Sequence, residues 1–185
     1  RIRDVSEGFF NEHLAECVSF CRMCGADRIF AEGNALLEPY PLYTSVYLMK
    51  GTGRCAQEKT ASLFPVTEKT VSHWRSLYNE AMRSVDNAGT LENRDEQEIV
   101  SGGGAYFVHR GGELLGIFWL KGTKLLTVAS VQKGAGETVM HTMMSLLEGE
   151  QITLEAASTN VRALRLYEKL GFLKTAELTR WYQVL

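Results

Sequence analysis

Between Lys124 and Phe172 the sequence sets a glycine-rich turn between a strand and a helix, an arrangement that can hold a phosphate. Leu125 to Ser130 reads as an apolar strand, and Lys133, Gly134, Ala135, Gly136 and Glu137 form the turn, with the Thr138 hydroxyl close behind. Such a turn leaves several backbone N–H groups unpaired at the positive end of the following helix, where an anion fits. Gly134 and Gly136 allow a close approach that side chains would block. A tight strand-to-helix turn with no ligand has the same sequence, so the turn alone does not define a site.

The other chemically capable residues are more dispersed. Cys17, Cys21 and Cys24 have the C-x3-C-x2-C spacing that resembles the iron-sulfur signature of radical S-adenosylmethionine enzymes. They continue a helical stripe begun by Phe10 and Leu14, however, and the chain is too short for the barrel those enzymes need. Packing as small hydrophobes is the expected role, with a zinc site that adds Cys55 as the alternative. His13, His73, His109 and His141 share no ligand spacing. Glu92, Asp95, Glu96 and Glu98 fall together in a polar stretch and read either as a solvated face or as an acidic rim for a cationic molecule.

The elements that position these groups follow from periodicity and punctuation. Phe10 to Cys24 reads as an amphipathic helix closed by Gly25, followed by strands at Arg28 to Ala31 and Leu42 to Met49. Gly51 and Gly53 then mark a boundary. A strand at Leu63 to Val66 leads into a helix capped by Thr67 that runs to about Met82, and a short helix falls in Thr90 to Val100. Tyr106 to His109 and Glu113 to Leu120 read as a hairpin through Arg110-Gly111-Gly112. After the glycine turn come a helix from Gly136 to Glu148, a strand from Ile152 to Ala156, and a helix capped by Asn160 that ends at Leu170-Gly171. Leu173 to Thr179 and Trp181 to Leu185 read as two closing strands.

Composition narrows the function. The chain has 185 residues, 45% of them hydrophobic, enough for one substantial core with a smaller extension. Lys and Arg number 20 against 22 acidic residues, a net charge of -2 that argues against a nucleic-acid partner. The longest apolar run, Leu114 to Leu120, is far shorter than the roughly 20 residues of a membrane span. With no signal-peptide pattern and four unevenly placed cysteines, a cytoplasmic protein with reduced thiols is expected. The chain begins at Arg1 rather than methionine, which leaves room for residues in front.

Asn160, Ala163 and the run Leu166-Tyr167-Glu168-Lys169-Leu170-Gly171-Phe172, one strand after the glycine turn, resemble the GNAT superfamily of acyl-CoA N-acyltransferases. The order of elements from Leu63 to Leu185 resembles that family too. The resemblance implies an α/β (α+β) fold with a mixed, mainly antiparallel central sheet flanked by helices. Residues 60–185 would form the acyltransferase domain. Residues 1–55 would be a helix-strand-strand extension that looks like the rear half of a degenerate second unit.

By the same resemblance, acetyl-CoA is the acyl donor and a small-molecule or peptide amine the acceptor. The backbone of Val128 and Ser130 would meet the pantetheine arm, the loop from Lys133 to Thr138 would hold the pyrophosphate, and Asn160 would bond near the pantetheine. Tyr167, which by spacing alone is a packing residue, would protonate the leaving thiolate. The family's usual basic or amide residue before the loop is replaced by Val131, and its base on the preceding strand is missing. Glu155 on the next strand is the substitute. A domain that keeps the fold and binds acyl-CoA without turnover is the alternative.

Overall fold

The structure, a computed structural model, describes residues 7–33, 35–53, 61–85 and 88–185. In chain order the helices are α1 (Glu7–Met23), α2 (Val71–Met82), α3 (Glu96–Gly102), α4 (Gly136–Met144) and α5 (Val161–Lys169). The strands are β1 (Phe30–Glu32), β2 (Leu42–Thr52), β3 (Ser62–Pro65), β4 (Ala105–Arg110), β5 (Glu113–Lys121), β6 (Lys124–Ser130), β7 (Gln151–Ala157) and β8 (Leu173–Gln183). All eight strands join one sheet in the order β1-β8-β2-β7-β6-β5-β4-β3. Every pairing is antiparallel except β6 with β7. This is the mixed, mainly antiparallel sheet that the sequence implied.

Helices cover both faces, because successive side chains of a strand point to opposite sides. Phe107 and Ile117 pack with Val71 and Trp74 of α2 and Ile99 of α3. Their neighbours Val108 and Phe118 pack with Val139, Met140 and Met143 of α4 and with Leu164 and Tyr167 of α5. Burial on both faces explains why β5 reads as a nearly unbroken apolar run rather than an alternating one. A third cluster joins Leu14 of α1 to Leu37 and Tyr182.

The end of the chain departs from expectation. The two closing strands anticipated at 173–179 and 181–185 are a single strand, β8, since Arg180 supplies no turn chemistry between them. The strand beside it comes from the amino-terminal segment: β2 lies between β7 and β8, antiparallel to both, and its irregularities against β8 appear as three register shifts. The α2 helix begins at Val71 rather than after Thr67. Thr67 and Thr70 form a turn of their own, in which the Thr67 amide donates to the Thr70 hydroxyl at 2.9 Å and the Thr70 amide to the Thr67 carbonyl at 2.9 Å. The α4 helix stops at Met144, and a 3₁₀ turn at Ser145–Leu147 follows.

Gly51, read as a boundary signal, is a packing residue. A Cβ there would lie 2.8 Å from Cδ1 and Cγ of Phe172, a ring with no exposure. The aromatic residue that ends the α5 motif therefore rests on the backbone of β2. Gly51→Ala is expected to destabilise the fold by about 1–3 kcal/mol in denaturant unfolding, the usual cost of overpacking. Gly8→Ala, at a helical position with nothing within 4 Å, is expected to be neutral or to stabilise by about 0.4–1 kcal/mol.

Candidate functional site

The two parallel strands β6 and β7 keep register for two pairs, Lys124 with Thr153 and Leu125 with Leu154, and then separate. On its other side β6 stays paired to β5 up to Ser130. The Val131 amide continues that ladder by donating to the Leu115 carbonyl at 2.9 Å. Antiparallel pairing alternates, so the amides of Thr127 and Ala129 face β5 as well, and those of Val128 and Ser130 face the gap. The sequence-assigned pair Val128 and Ser130 thus lies on the open edge of the splay.

The gap opens into two adjoining clefts that share Met82, Val85, Val128, Asn160, Ala163 and Tyr167. One, of about 430 Å³, runs toward Ser130, Gly134, Gly136, Glu137 and Leu166. The other, of about 410 Å³, runs toward Leu126, Thr127, Glu155, Thr179 and Trp181. Tyr167 stands where they meet.

The glycine loop forms one wall. Gly134 has φ +87°, a left-handed conformation that favours glycine. The Gln132 amide faces the Leu115 carbonyl at 3.3 Å and the Ala135 amide the Gln132 carbonyl at 3.2 Å. That leaves Gly136, Glu137 and Thr138 as the first-turn amides a helix start does not pair. A Cβ at Gly136 would lie 3.3 Å from Leu166 Cδ2, so a larger residue would crowd the wall beneath the loop.

Charge around the loop is arranged in a way the sequence hid. Glu137 would bring a negative charge to an anion site, but Lys169 of α5 reaches its Oε2 at 2.5 Å and His141 lies 3.7 Å from its Oε1. The hydrogen bond from Lys169 holds the Glu137 carboxyl below its ordinary range. Arg110, read as part of a hairpin turn, extends from β4 and donates through Nη2 to the Thr138 hydroxyl at 3.1 Å. Arg162 lines the same cleft. Val131 is 47% exposed, and Lys133 is exposed at the loop's tip.

On the opposite wall, Asn160 caps α5 by accepting from the Ala163 amide at 3.2 Å. Its loop is tied to the amino-terminal segment. Thr44 Oγ1 lies 3.0 Å from Ser158 Oγ and 3.2 Å from Thr159 Oγ1, and the Ser158 amide donates to the Ser45 carbonyl at 2.7 Å. Thr44 and Ser45 are 1% and 3% exposed, and nothing in their spacing marked them as partners of residues 158 and 159. The strand order needed to see it places β2 more than a hundred positions before the loop it clamps.

Tyr167 is 8% exposed, and burial pushes its pKa up to about 12. Its hydroxyl is therefore protonated throughout the neutral and mildly alkaline range. Glu155 lines the cleft of about 410 Å³, with Lys124 Nζ 2.6 Å from its Oε1, on a half-exposed part of the surface.

Other candidates lie elsewhere. Glu96 is paired with Arg75 at 2.8 Å, Glu98 with Lys121 at 3.5 Å and Glu92 with Arg94 at 3.3 Å, while Asp95 Oδ2 accepts from the Glu92 amide at 2.6 Å. None of the four lines either cleft. Cys17 and Cys24 are exposed rather than packed and Cys21 is half-buried, because the packed stripe of α1 runs through Phe10, Leu14 and Val18. Cys55 lies outside the described residues, and no cluster of three metal-ligating side chains occurs among the described ones. Among the described residues no helix is long and apolar enough to cross a membrane.

No family model matches the sequence, and no curated protein matches it. Solved structures do. The GCN5-related N-acetyltransferase of Anabaena variabilis ATCC 29413 superposes on 92% of this chain with a TM-score of 0.62 at 11% identity, and 48% of that protein is covered. A proposed GNAT-family acetyltransferase from Novosphingobium aromaticivorans DSM 12444 aligns with 85% of this chain and 74% of its own, with a TM-score of 0.50 and 17% identity. A Drosophila protein matches 98% of this chain with a TM-score of 0.55 at 13% identity, and the chain spans 59% of its length. The chain has the GNAT fold.

The cap and the clamp can be tested together. Asn160→Ala is expected to cost about 0.5–2 kcal/mol of stability, whereas Asn160→Asp, which keeps an accepting oxygen, stays near the wild type. Thr44→Val leaves the Ser158 and Thr159 hydroxyls short of a partner and is expected to cost about 1–3 kcal/mol by denaturant unfolding.

Proposed function

We propose that this chain is an N-acetyltransferase that moves the acetyl group of acetyl-CoA to a primary amine. The observation that carries the reading is the splay of β6 from β7. It brings two outward-facing strand amides, the first-turn amides of a helix start and a buried protonated tyrosine to two adjoining clefts. Each part fits a portion of an acyl-CoA. Val128 and Ser130 offer an edge for the amide groups of a pantetheine arm, in the manner of a strand added to a sheet. Gly136, Glu137 and Thr138 offer donors to a pyrophosphate at a helix start, with Arg110 and Lys133 as nearby cations. Lys169 prevents Glu137 from repelling that anion.

The donor supplies an acetyl thioester, and the protein's residues do the rest by position and proton transfer. The amine nitrogen bonds to the thioester carbon, the carbon–sulfur bond breaks, and Tyr167 gives its proton to the departing thiolate. The Val128 amide faces the negative charge that develops on the carbonyl oxygen. Glu155 accepts the proton that the amine sheds. An amine acceptor with a pKa of about 10.4 is mostly cationic at neutral pH, so proton removal is the demanding step.

The test is a calorimetric titration with acetyl-CoA followed by thiol release against a panel of amines. Binding with turnover supports the reading, absence of binding overturns it, and binding with no turnover on a broad panel replaces the enzyme with an acyl-CoA-binding module. Tyr167→Phe is expected to lower turnover by about 10²-fold or more while leaving acetyl-CoA affinity nearly unchanged. The pH profile has a predicted shape as well. Because the Tyr167 pKa is raised to about 12, turnover should climb with pH as the amine loses its proton, with no fall from tyrosine ionisation below pH 10. A descending limb between pH 8 and 10 that disappears in Tyr167→Phe would contradict this assignment.

A further inference from the structure

The first helix is apolar over more of its circumference than its own core uses. Its packed side runs through Phe10, Leu14 and Val18, against Ala31, Leu37 and Tyr182. A second stripe, Phe9, His13, Glu16 and Phe20, recurs at steps of four, three and four, about 100° round the helix from the first. Phe9 is 59% exposed and Phe20 66%, and Met23, one turn past Phe20, is 84% exposed. A surface helix keeps polar residues on the side turned to water, so two exposed phenylalanines on one stripe mark a face that takes a partner.

The order of residues along the stripe says which partner. Its ends are aromatic, and its middle carries one base and one acid. A second copy of α1, turned about a two-fold axis between Leu14 and Ala15, lies antiparallel to the first. Phe9 then meets the second copy's Phe20 and His13 meets the second copy's Glu16, and the axis repeats each pairing. The antiparallel arrangement also sets the two helix dipoles against each other favourably. His13 is turned for such a contact: its Nδ1–H donates to the Phe9 carbonyl at 2.8 Å, which leaves Nε2 to face a carboxylate. A parallel copy in register would instead set Glu16 beside Glu16. A membrane surface does not fit the stripe, because Glu16 lies on it, Glu12 borders it, and Arg22, the one lysine or arginine of the helix, lies on another side.

We infer that this chain forms a homodimer through the exposed stripe of α1, with Phe9 packed on Phe20 and His13 paired with Glu16 across a two-fold axis. None of these four residues lines either cleft, so the assembly stands apart from the acetyltransferase reading. A helix of 17 residues is about 25 Å long and about 10 Å wide, well short of the roughly 800 Å² per partner of a standard interface. The dimer is therefore weak and reversible.

Sedimentation equilibrium of the whole chain between about 1 and 500 μM tests the inference. The expected result is a monomer–dimer equilibrium with a Kd of about 10–100 μM. Phe20→Glu should raise that Kd about tenfold or more, whereas Ser19→Glu, exposed on the flank of the same helix, should change it by less than about threefold. His13→Glu sets like charges across the axis and should weaken the dimer about fivefold or more, and adding Glu16→His restores opposite charges and should bring the Kd back to within about threefold of the wild type. Circular dichroism checks that each variant is folded, and the swapped pair decides the register even if Phe20→Glu is not. A chain that stays monomeric up to 500 μM overturns the inference, as does a dimer that folded Phe20→Glu leaves unchanged. A swap that fails to restore association overturns the antiparallel pairing. Binding to phosphatidylserine vesicles without self-association replaces the second copy with a membrane surface.

Discussion

The site depends on a sheet that fails to stay closed. Parallel strands normally continue side by side, but β6 and β7 share two register pairs and then part. From that point the edge of β6 carries backbone groups that β7 does not satisfy, and an unpaired sheet edge seeks another partner. Everything assigned to function lies around this opening. The glycine loop is the continuation of β6, Asn160 and Tyr167 follow β7, and both clefts run from the fork. The opening persists because each strand is anchored elsewhere, β6 to β5 along its whole length and β7 to β2 along its whole length.

That second anchor gives the amino-terminal segment a structural role in the site. The β2 strand lies between β7 and β8, receives the Phe172 ring at Gly51, and binds the loop before α5 through Thr44 and Ser45. Glu32 of β1 extends the cleft that Glu155 lines from the far side of β8. A segment that reads as an extension in sequence thus holds one wall of the cleft and supplies part of its lining.

Legibility followed the range of the interactions. Local patterns were readable: the glycine turn, the helix that Asn160 caps, the hairpin of β4 and β5, and the apolar stripe of α4. Long-range pairings were not. A reader of Leu173 to Leu185 sees two β-rich stretches and pairs them with each other, because nothing in those residues reports that β2 occupies the neighbouring place. The pairings of Glu137 with Lys169, of Arg110 with Thr138 and of Thr44 with Ser158 are likewise invisible at separations of 32, 28 and 114 positions. The acidic run at 92–98 misled for the opposite reason. It is a conspicuous local feature whose charges are satisfied by Arg75, Arg94, Lys121 and the Glu92 amide, while Glu32, which does line a cleft, had no pattern around it.

The central claim is that the open edge of β6 and the start of α4 together receive an acyl-CoA. Hydrogen exchange of individual amides with and without acetyl-CoA tests it most directly. The account predicts that protection rises at Val128, Ser130 and the loop through Gly136, Glu137 and Thr138, and changes little in β4, already paired on both sides. Unchanged exchange at those amides under saturating acetyl-CoA, or protection confined to another part of the sheet, would contradict it.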